Sequence, residues 1–182
     1  MTLKNTVRMT FLGAALALVG CATTSSGEKK DGESADGEQV AENIRQKQAG
    51  NEKVTEFDLN KDKKSDVWTY TVAGKSADGK DIDRLARKDL DINWDGKVDI
   101  GRTYDEKEQI SRETLDLDFD GKVDEVIIYE KGLVVRKERD TNADGKVDYW
   151  EYWENNQVDR IGEDLDGDGN VDKWTKNPDS EG

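Results

Sequence analysis

A nine-residue pattern of acidic and polar side chains recurs five times without gaps, and it constrains this chain more than any other feature. The copies are DLNKDKKSD from Asp58, DINWDGKVD from Asp91, DLDFDGKVD from Asp116, DTNADGKVD from Asp140 and DLDGDGNVD from Asp164. Their starts differ by 33, 25, 24 and 24 residues. Self-similarity at a fixed period marks an array of small units, each burying an apolar face against its neighbours.

The segments between the copies are periodic as well. After each ninth-position Asp come residues rich in aromatic and β-branched side chains, at 67–70, 100–104, 126–129, 149–153 and 173–175. That enrichment over so short a length reads as strand. Polar turns follow at 105–108, 131–132 and 154–156. A second strand then leads into the next copy. It carries an apolar residue six places before it (Leu85, Ile110, Val134, Val158) and an Arg four places before it (Arg87, Arg112, Arg136, Arg160). On an acidic chain, these Arg residues are expected to offset the neighbouring loop carboxylates. The pattern predicts an all-β antiparallel hairpin array, a meander of roughly nine or ten strands with acidic loops along one edge. It leaves open whether the sheet stays open or closes into a barrel. The first unit is longer, with an insertion around 74–80, and carries Lys63 and Ser65 where the other copies have Gly and Val. It reads as a capping repeat.

The loops carry the chemistry. Calcium takes about 6–8 oxygen ligands at about 2.3–2.6 Å. A nine-residue loop can wrap such an ion with side-chain oxygens at positions 1, 3, 5 and 9 and a backbone carbonyl at 7. Position 1 is Asp91, Asp116, Asp140 and Asp164, and position 3 is Asn93, Asp118, Asn142 and Asp166. Position 5 is Asp95, Asp120, Asp144 and Asp168, and position 9 is Asp99, Asp124, Asp148 and Asp172. Lys97, Lys122, Lys146 and Asn170 offer the carbonyl at position 7. Gly at position 6 suits a sharp turn costly to other residues. Asp58, Asn60, Asp62, Lys64 and Asp66 form a weaker version of the same set. A plain Asp-Gly turn with solvated carboxylates needs only positions 5 and 6. Four copies also keep oxygen donors at 1, 3 and 9, which a turn does not require. Magnesium fits less well, because it demands octahedral geometry and keeps its waters. The Val at position 8 (Val98, Val123, Val147, Val171) is expected to pin each loop to the sheet.

The motif resembles the first half of an EF-hand loop. Position 12 is Thr69, Arg102, Ile127, Glu151 and Thr175 in the five copies, and strand follows where an EF-hand has helix. It is more similar to the DxNxDGxxD hairpin loops of FG-GAP repeats, in which the ninth Asp ligates calcium and a strand follows. The resemblance covers the loop and the first strand residues, not the propeller blade. It implies calcium ligation by the residues above.

The N-terminus reads as an export signal over residues 1–20. Lys4 and Arg8 precede an apolar run at 9–19, too short to span a bilayer and suited to a secretory signal. Leu18-Val19-Gly20-Cys21 resembles the lipobox of bacterial lipoproteins. In that family the signal is cut before the Cys, which is acylated. Ala22, in place of the Asp that retains such proteins at the inner membrane, implies the outer membrane. The bland alternative is an ordinary signal peptide with a coincidental Cys. Residues 21–52 then form the acylated Cys and a flexible Gly/Ser/Glu/Lys tether, and 53–182 the repeat domain. Removal of the signal would take Lys4 and Arg8 with it and move the net charge from −14 to −14 − 2 = −16.

Composition excludes several classes. With no His, the chain has no Ser-His-Asp arrangement and no His-ligated zinc site. A single Cys excludes an internal disulfide. The acidic balance argues against nucleic acid, which recruits Lys and Arg. An apolar-poor repeat offers no cleft to raise the pKa of a catalytic carboxylate, so the chain is expected not to be an enzyme. The sequence predicts an outer-membrane, lipid-anchored, calcium-binding lipoprotein, facing either the periplasm or the exterior. Its role would be binding or scaffolding in the envelope or at the cell surface, toward an envelope protein or polysaccharide. The alternative is a carbohydrate- or peptidoglycan-binding module that presents Trp68, Tyr70, Tyr104, Tyr129, Tyr149, Trp150, Tyr152, Trp153 and Trp174 on a sheet face.

Overall fold

The computed structural model describes residues 48–178. The signal over 1–20, Cys21 and the tether as far as residue 47 lie outside the described residues, as do 179–182. Ten strands follow one another: β1 (Lys53–Phe57), β2 (Val67–Lys75), β3 (Asp81–Leu90), β4 (Ile100–Tyr104) and β5 (Ile110–Leu115), then β6 (Glu125–Glu130), β7 (Leu133–Arg139), β8 (Tyr149–Glu154), β9 (Gln157–Glu163) and β10 (Lys173–Lys176). They form one sheet in strict chain order, every neighbouring pair antiparallel. Strands β1 and β10 are its two edges and do not pair with each other, so the all-β meander is open.

Local chemistry explains the alternation of loop and turn. The tips Lys131-Gly132 and Asn155-Asn156 have positive φ at both residues. That conformation matches the twist of a two-residue hairpin, and Asn and Gly tolerate it best. The insertion in the first unit lengthens one arm: β2 and β3 pair as far as Lys75↔Asp81 and close through Ser76–Lys80 backbone bonding at 2.9 Å. The acidic loops, at 58–66, 91–99, 116–124, 140–148 and 164–172 (loops 1 to 5), join the remaining pairs on the opposite edge.

The register breaks at the same place in four hairpins, between Tyr70/Thr71, Thr103/Tyr104, Ile128/Tyr129 and Tyr152/Trp153. The unmatched residues are Ala86, Ser111, Val135 and Asp159, each immediately before one of the recurring Arg residues. A bulge re-aims the side chain that follows it and adds twist.

One cross-strand row shows how a single sheet assembles a core. Trp68, Asp89, Gly101, Thr114, Val126, Glu138, Trp150, Gly162 and Trp174 stand opposite one another across β2 to β10. Trp68 and Trp150 are 5% and 1% exposed. The loops supply the cover: Val98 and Val123 cluster with Trp68, Tyr70 and Val126. A Cβ at Gly162 would lie 3.1 Å from both Val171 and Trp174, so only glycine lets that valine and that ring approach so closely. Val98, Val123 and Val147 are buried as expected, and Val171 is half-buried.

Three members of the Arg row have partners on the sheet itself. Arg87 lies 3.7 Å over the Tyr70 ring and 3.8 Å from Asp89, and Arg136 meets Glu138 at 2.8 Å. Arg160 stands over both Tyr152 and Trp174. In these contacts the guanidinium groups stack on rings and pair with strand carboxylates. Strand alternation puts Asp89 and Glu138 two residues on, hence on the same face.

Candidate metal centre

Each loop is a cage of side-chain-to-backbone hydrogen bonds repeated in register. The Asp at position 1 accepts the amide of position 6 at Oδ2, over 2.7–2.9 Å, in all five loops. Position 3 accepts the amide of position 5 at 2.8–3.1 Å. Position 5 accepts the amide of position 7 at 2.7–2.9 Å. In loops 1, 2, 3 and 5 a single oxygen of position 9, Oδ2, accepts the amides of positions 2 and 3 at 2.6–3.2 Å. These bonds bend the chain around its own acidic side chains and leave the second position-9 oxygen turned away from the backbone donors.

The glycine at position 6 has φ of 91°, 94°, 87° and 89° at Gly96, Gly121, Gly145 and Gly169. Lys63 takes the same turn in loop 1 with φ 76°. An L-residue there costs roughly 1–2 kcal/mol. Loop 1 therefore keeps the backbone path of its neighbours and bears the strain.

Backbone bonds also tie loop to loop. The amide of Asp91 donates to the Asp66 carbonyl, Asp116 to Asp99, Asp140 to Asp124 and Asp164 to Asp148, all at 2.8–2.9 Å. Position 1 of each loop is thus fastened to position 9 of the one before. Two lysines reinforce the row: Lys97 Nζ donates to the Asp120 carbonyl (2.9 Å) and Lys146 Nζ to the Gly167 carbonyl (2.8 Å). Lys122 instead turns back to Asp120 of its own loop at 3.2 Å.

Three groups of carboxylates bring ligand oxygens within 4.8 Å of one another: Asp91, Asp95 and Asp99 in loop 2, Asp116, Asp118 and Asp124 in loop 3, and Asp164, Asp166 and Asp172 in loop 5. Among the described residues, loops 1 and 4 form no such group. Asp99 is 1% exposed and Asp116 4% exposed, and Oδ1 of each is buried without a hydrogen-bond partner. Burying a charged oxygen unpaired is costly. An all-oxygen donor set around such an atom fits a hard cation such as calcium, which would neutralise the charge and fill the missing contact.

Loop 4 shows what sequence reasoning missed. Its position 2 is Thr141, where the other loops carry Leu or Ile. Thr141 donates its amide to Asp148 Oδ1 (3.0 Å) and its hydroxyl to Oδ2 (2.9 Å). Both Asp148 oxygens accept a bond from Thr141, and Asp148 forms no close carboxylate group with Asp140 and Asp144. Thr141 was visible in the sequence as the one hydroxyl at that position. In loop 1, Asp66 is buried, while Asp58, Asn60, Asp62 and Lys64 are exposed.

Local charge differs between the loops. Burial pushes the Asp116 carboxyl above the usual carboxylate range, against the Gly121 amide. At Asp164 burial also pushes upward, but the amides of Gly169, Gly167, Asp166 and Asp168 together outweigh it and hold the carboxyl low. Of the nine aromatic residues expected on a sheet face, Trp68, Tyr70 and Trp150 are buried, Trp174 is exposed and the other five are half-buried.

Fold and site together define an open antiparallel repeat sheet with caged acidic loops along one edge. No family model and no curated protein matches the chain. Among solved structures it is similar to one of accessory secretory protein 1, 2 and 3 in Streptococcus pneumoniae, at 14% identity and a TM-score of 0.45, covering 74% of this chain and 23% of that one. It is also similar to TarM, at 18% identity and a TM-score of 0.36, covering 70% of this chain and 21% of that one. The chain thus spans less than a quarter of either structure, and likeness at this level carries no functional argument.

Proposed function

We propose that this chain is a calcium-binding, non-catalytic envelope lipoprotein, held at the outer membrane by an acylated Cys21. In this reading the ions hold the repeat sheet together as a binding or scaffolding module. The observation that carries the reading is the buried, unpartnered Oδ1 of Asp99, a member of a three-carboxylate group, repeated at Asp116 one loop further on. Calcium bound there supplies charge neutralisation and cross-linking of loop oxygens, not a reactive centre. The tether sequence and the lipobox resemblance support placement at a membrane surface. A sugar platform has less to recommend it, because Trp68, Tyr70 and Trp150 are buried.

Calorimetric titration with calcium, paired with thermal melts in calcium and in EDTA, tests the ion. A ligand that binds only the folded state raises the melting temperature. Saturable calcium heats with a higher melting temperature in calcium are expected, and equal melting temperatures in the two buffers would overturn the reading. Cys21→Ser should move the protein, fractionated in EGTA, from the membrane fraction to the soluble envelope fraction, and a variant that still pellets with outer membranes in EGTA would refute lipidation.

A further inference from the structure

The loop edge has a second property that ion binding does not explain. Ten large apolar residues are exposed among those described, and six of them lie in the loops: Leu59, Ile92, Trp94, Leu117, Phe119 and Leu165, at 43–68% exposure. They occupy loop positions 2 and 4, interleaved with the oxygen donors at 1, 3 and 5. Trp94 and Phe119 also sit at φ 69° and 66°, a region unfavourable to bulky side chains. Loop 5 has Gly167 at this position and loop 4 has Thr141 at position 2, so the loop path requires neither the aromatic nor the aliphatic residue. All five loops lie on one edge and each is bonded to the next, so these side chains form a row. The turn tips of the opposite edge, among them Glu106, Lys131 and Asn155, are polar.

The surface that fits such a row must offer apolar volume and anionic oxygen side by side. Each loop has at most five oxygen-bearing positions for an ion that takes about 6–8 ligands. Asp91 and Asp99 are buried, while Asp95, Ile92 and Trp94 are exposed, so further oxygen ligands can arrive from solvent. Phosphate oxygens above acyl chains meet both demands. Without ions, the five loops carry seventeen Asp against six Lys, a net −11, and an anionic surface repels them; three ions lower this to −11 + 6 = −5, so the attraction lies in the ion–phosphate contacts themselves. We infer that the loop edge, once its loops hold calcium, docks on an anionic phospholipid bilayer. The apolar tips enter the headgroup region, and lipid phosphates complete the coordination of the ions. The inference rests on the calcium reading above.

The test uses the full chain. Cys21→Ser removes the only cysteine, so Leu117→Cys or Glu106→Cys can then carry a single environment-sensitive fluorophore, on the loop edge or the turn edge. Vesicles of phosphatidylglycerol and phosphatidylcholine are added with calcium and then with EGTA, while calorimetry counts bound calcium. The expected result is a blue shift at position 117 that needs calcium and phosphatidylglycerol, reverses in EGTA and is absent at position 106. Adding Trp94→Ser and Phe119→Ser should raise the half-saturating vesicle concentration at least tenfold with the calcium count unchanged, because only the backbone amides of these residues face the cage. If calcium binds and the label at 117 ignores vesicles, the docking inference falls and the calcium reading stands. If no calcium binds, both fall. A shift that persists in EGTA, or that calcium alone produces through self-association or a protein contact, also overturns the docking.

Discussion

Asp99 buries a carboxylate oxygen that no protein donor satisfies, and the sign of a mutation there depends on calcium. Asp99→Asn keeps an acceptor for the amides of Ile92 and Asn93 but removes the charge. In EDTA the variant should gain about 1 kcal/mol, a melting temperature higher by a few degrees, because an amide NH2 in place of the unpaired oxygen removes a buried charge beside Asp91 and Asp95. In calcium it should lose one bound ion and melt below the wild type. Melts in both buffers read the crossing directly, and a variant destabilised in both would mark Asp99 as purely structural. Acidity should separate the loops as well. Calcium needs ionised ligands, so the loop whose carboxyl is raised releases its ion first as pH falls. Asp116 is raised and Asp164 lowered, hence loop 3 should empty at a higher pH than loop 5, as followed by calorimetry on variants keeping one loop each. In the metal-free protein the signs oppose. Ionised Asp116 costs stability above its folded value, and that cost lifts as pH falls through it. Asp164 contributes stability above the unfolded value that is lost as pH falls through its own.

At the scale of the loop, one hydroxyl sets loop 4 apart from the other four. Thr141→Leu gives loop 4 the position-2 residue of loops 1, 3 and 5 and frees Asp148 Oδ2. Calorimetry should count four calcium ions per chain in place of three, and an unchanged count would show that Thr141 does not limit the loop. This residue also marks how far the sequence could be read. Strand, turn and loop were legible because apolar enrichment, Asn and Gly at tips, and alternating oxygens each recur at one period. The two bonds from Thr141 to Asp148 were not legible, because the motif is the same whether or not position 2 reaches that carboxylate. The bulges before Arg87, Arg112, Arg136 and Arg160 were likewise hidden, since one extra residue leaves the spacing between loops intact. The buried Asp89 and Glu138 were missed for a related reason: their partners are the Arg residues that those bulges re-aim.

Across the whole molecule, charge and apolar poverty set the terms. The full chain carries −14 and would carry −16 without residues 1–20, which three calcium ions would bring to −16 + 6 = −10. Self-repulsion at low ionic strength should expand the chelated protein, because a thin sheet has little buried apolar area to oppose it. Small-angle scattering should show a larger radius in EDTA at low salt, partly recovered by about 0.15 M monovalent salt, where the Debye length is about 8 Å. Calcium should restore the compact value fully. A radius indifferent to chelation at low salt would mean that the sheet supports its own charge. Openness could not be read from pattern, because closure depends on accumulated twist and edge pairing rather than on the residues of any one unit.

The strict strand order has a mechanical corollary. The chain enters at one edge of the sheet and leaves at the other, so a pull between its ends loads nine strand pairs in series, across their hydrogen bonds. Such a sheet peels instead of shearing, and it should yield one repeat at a time. Each repeat of about 24 residues would release about 80 Å of chain. Any loop that holds an ion becomes a stop on that path, and tension would be met by a series of small, reversible releases with no single catastrophic failure.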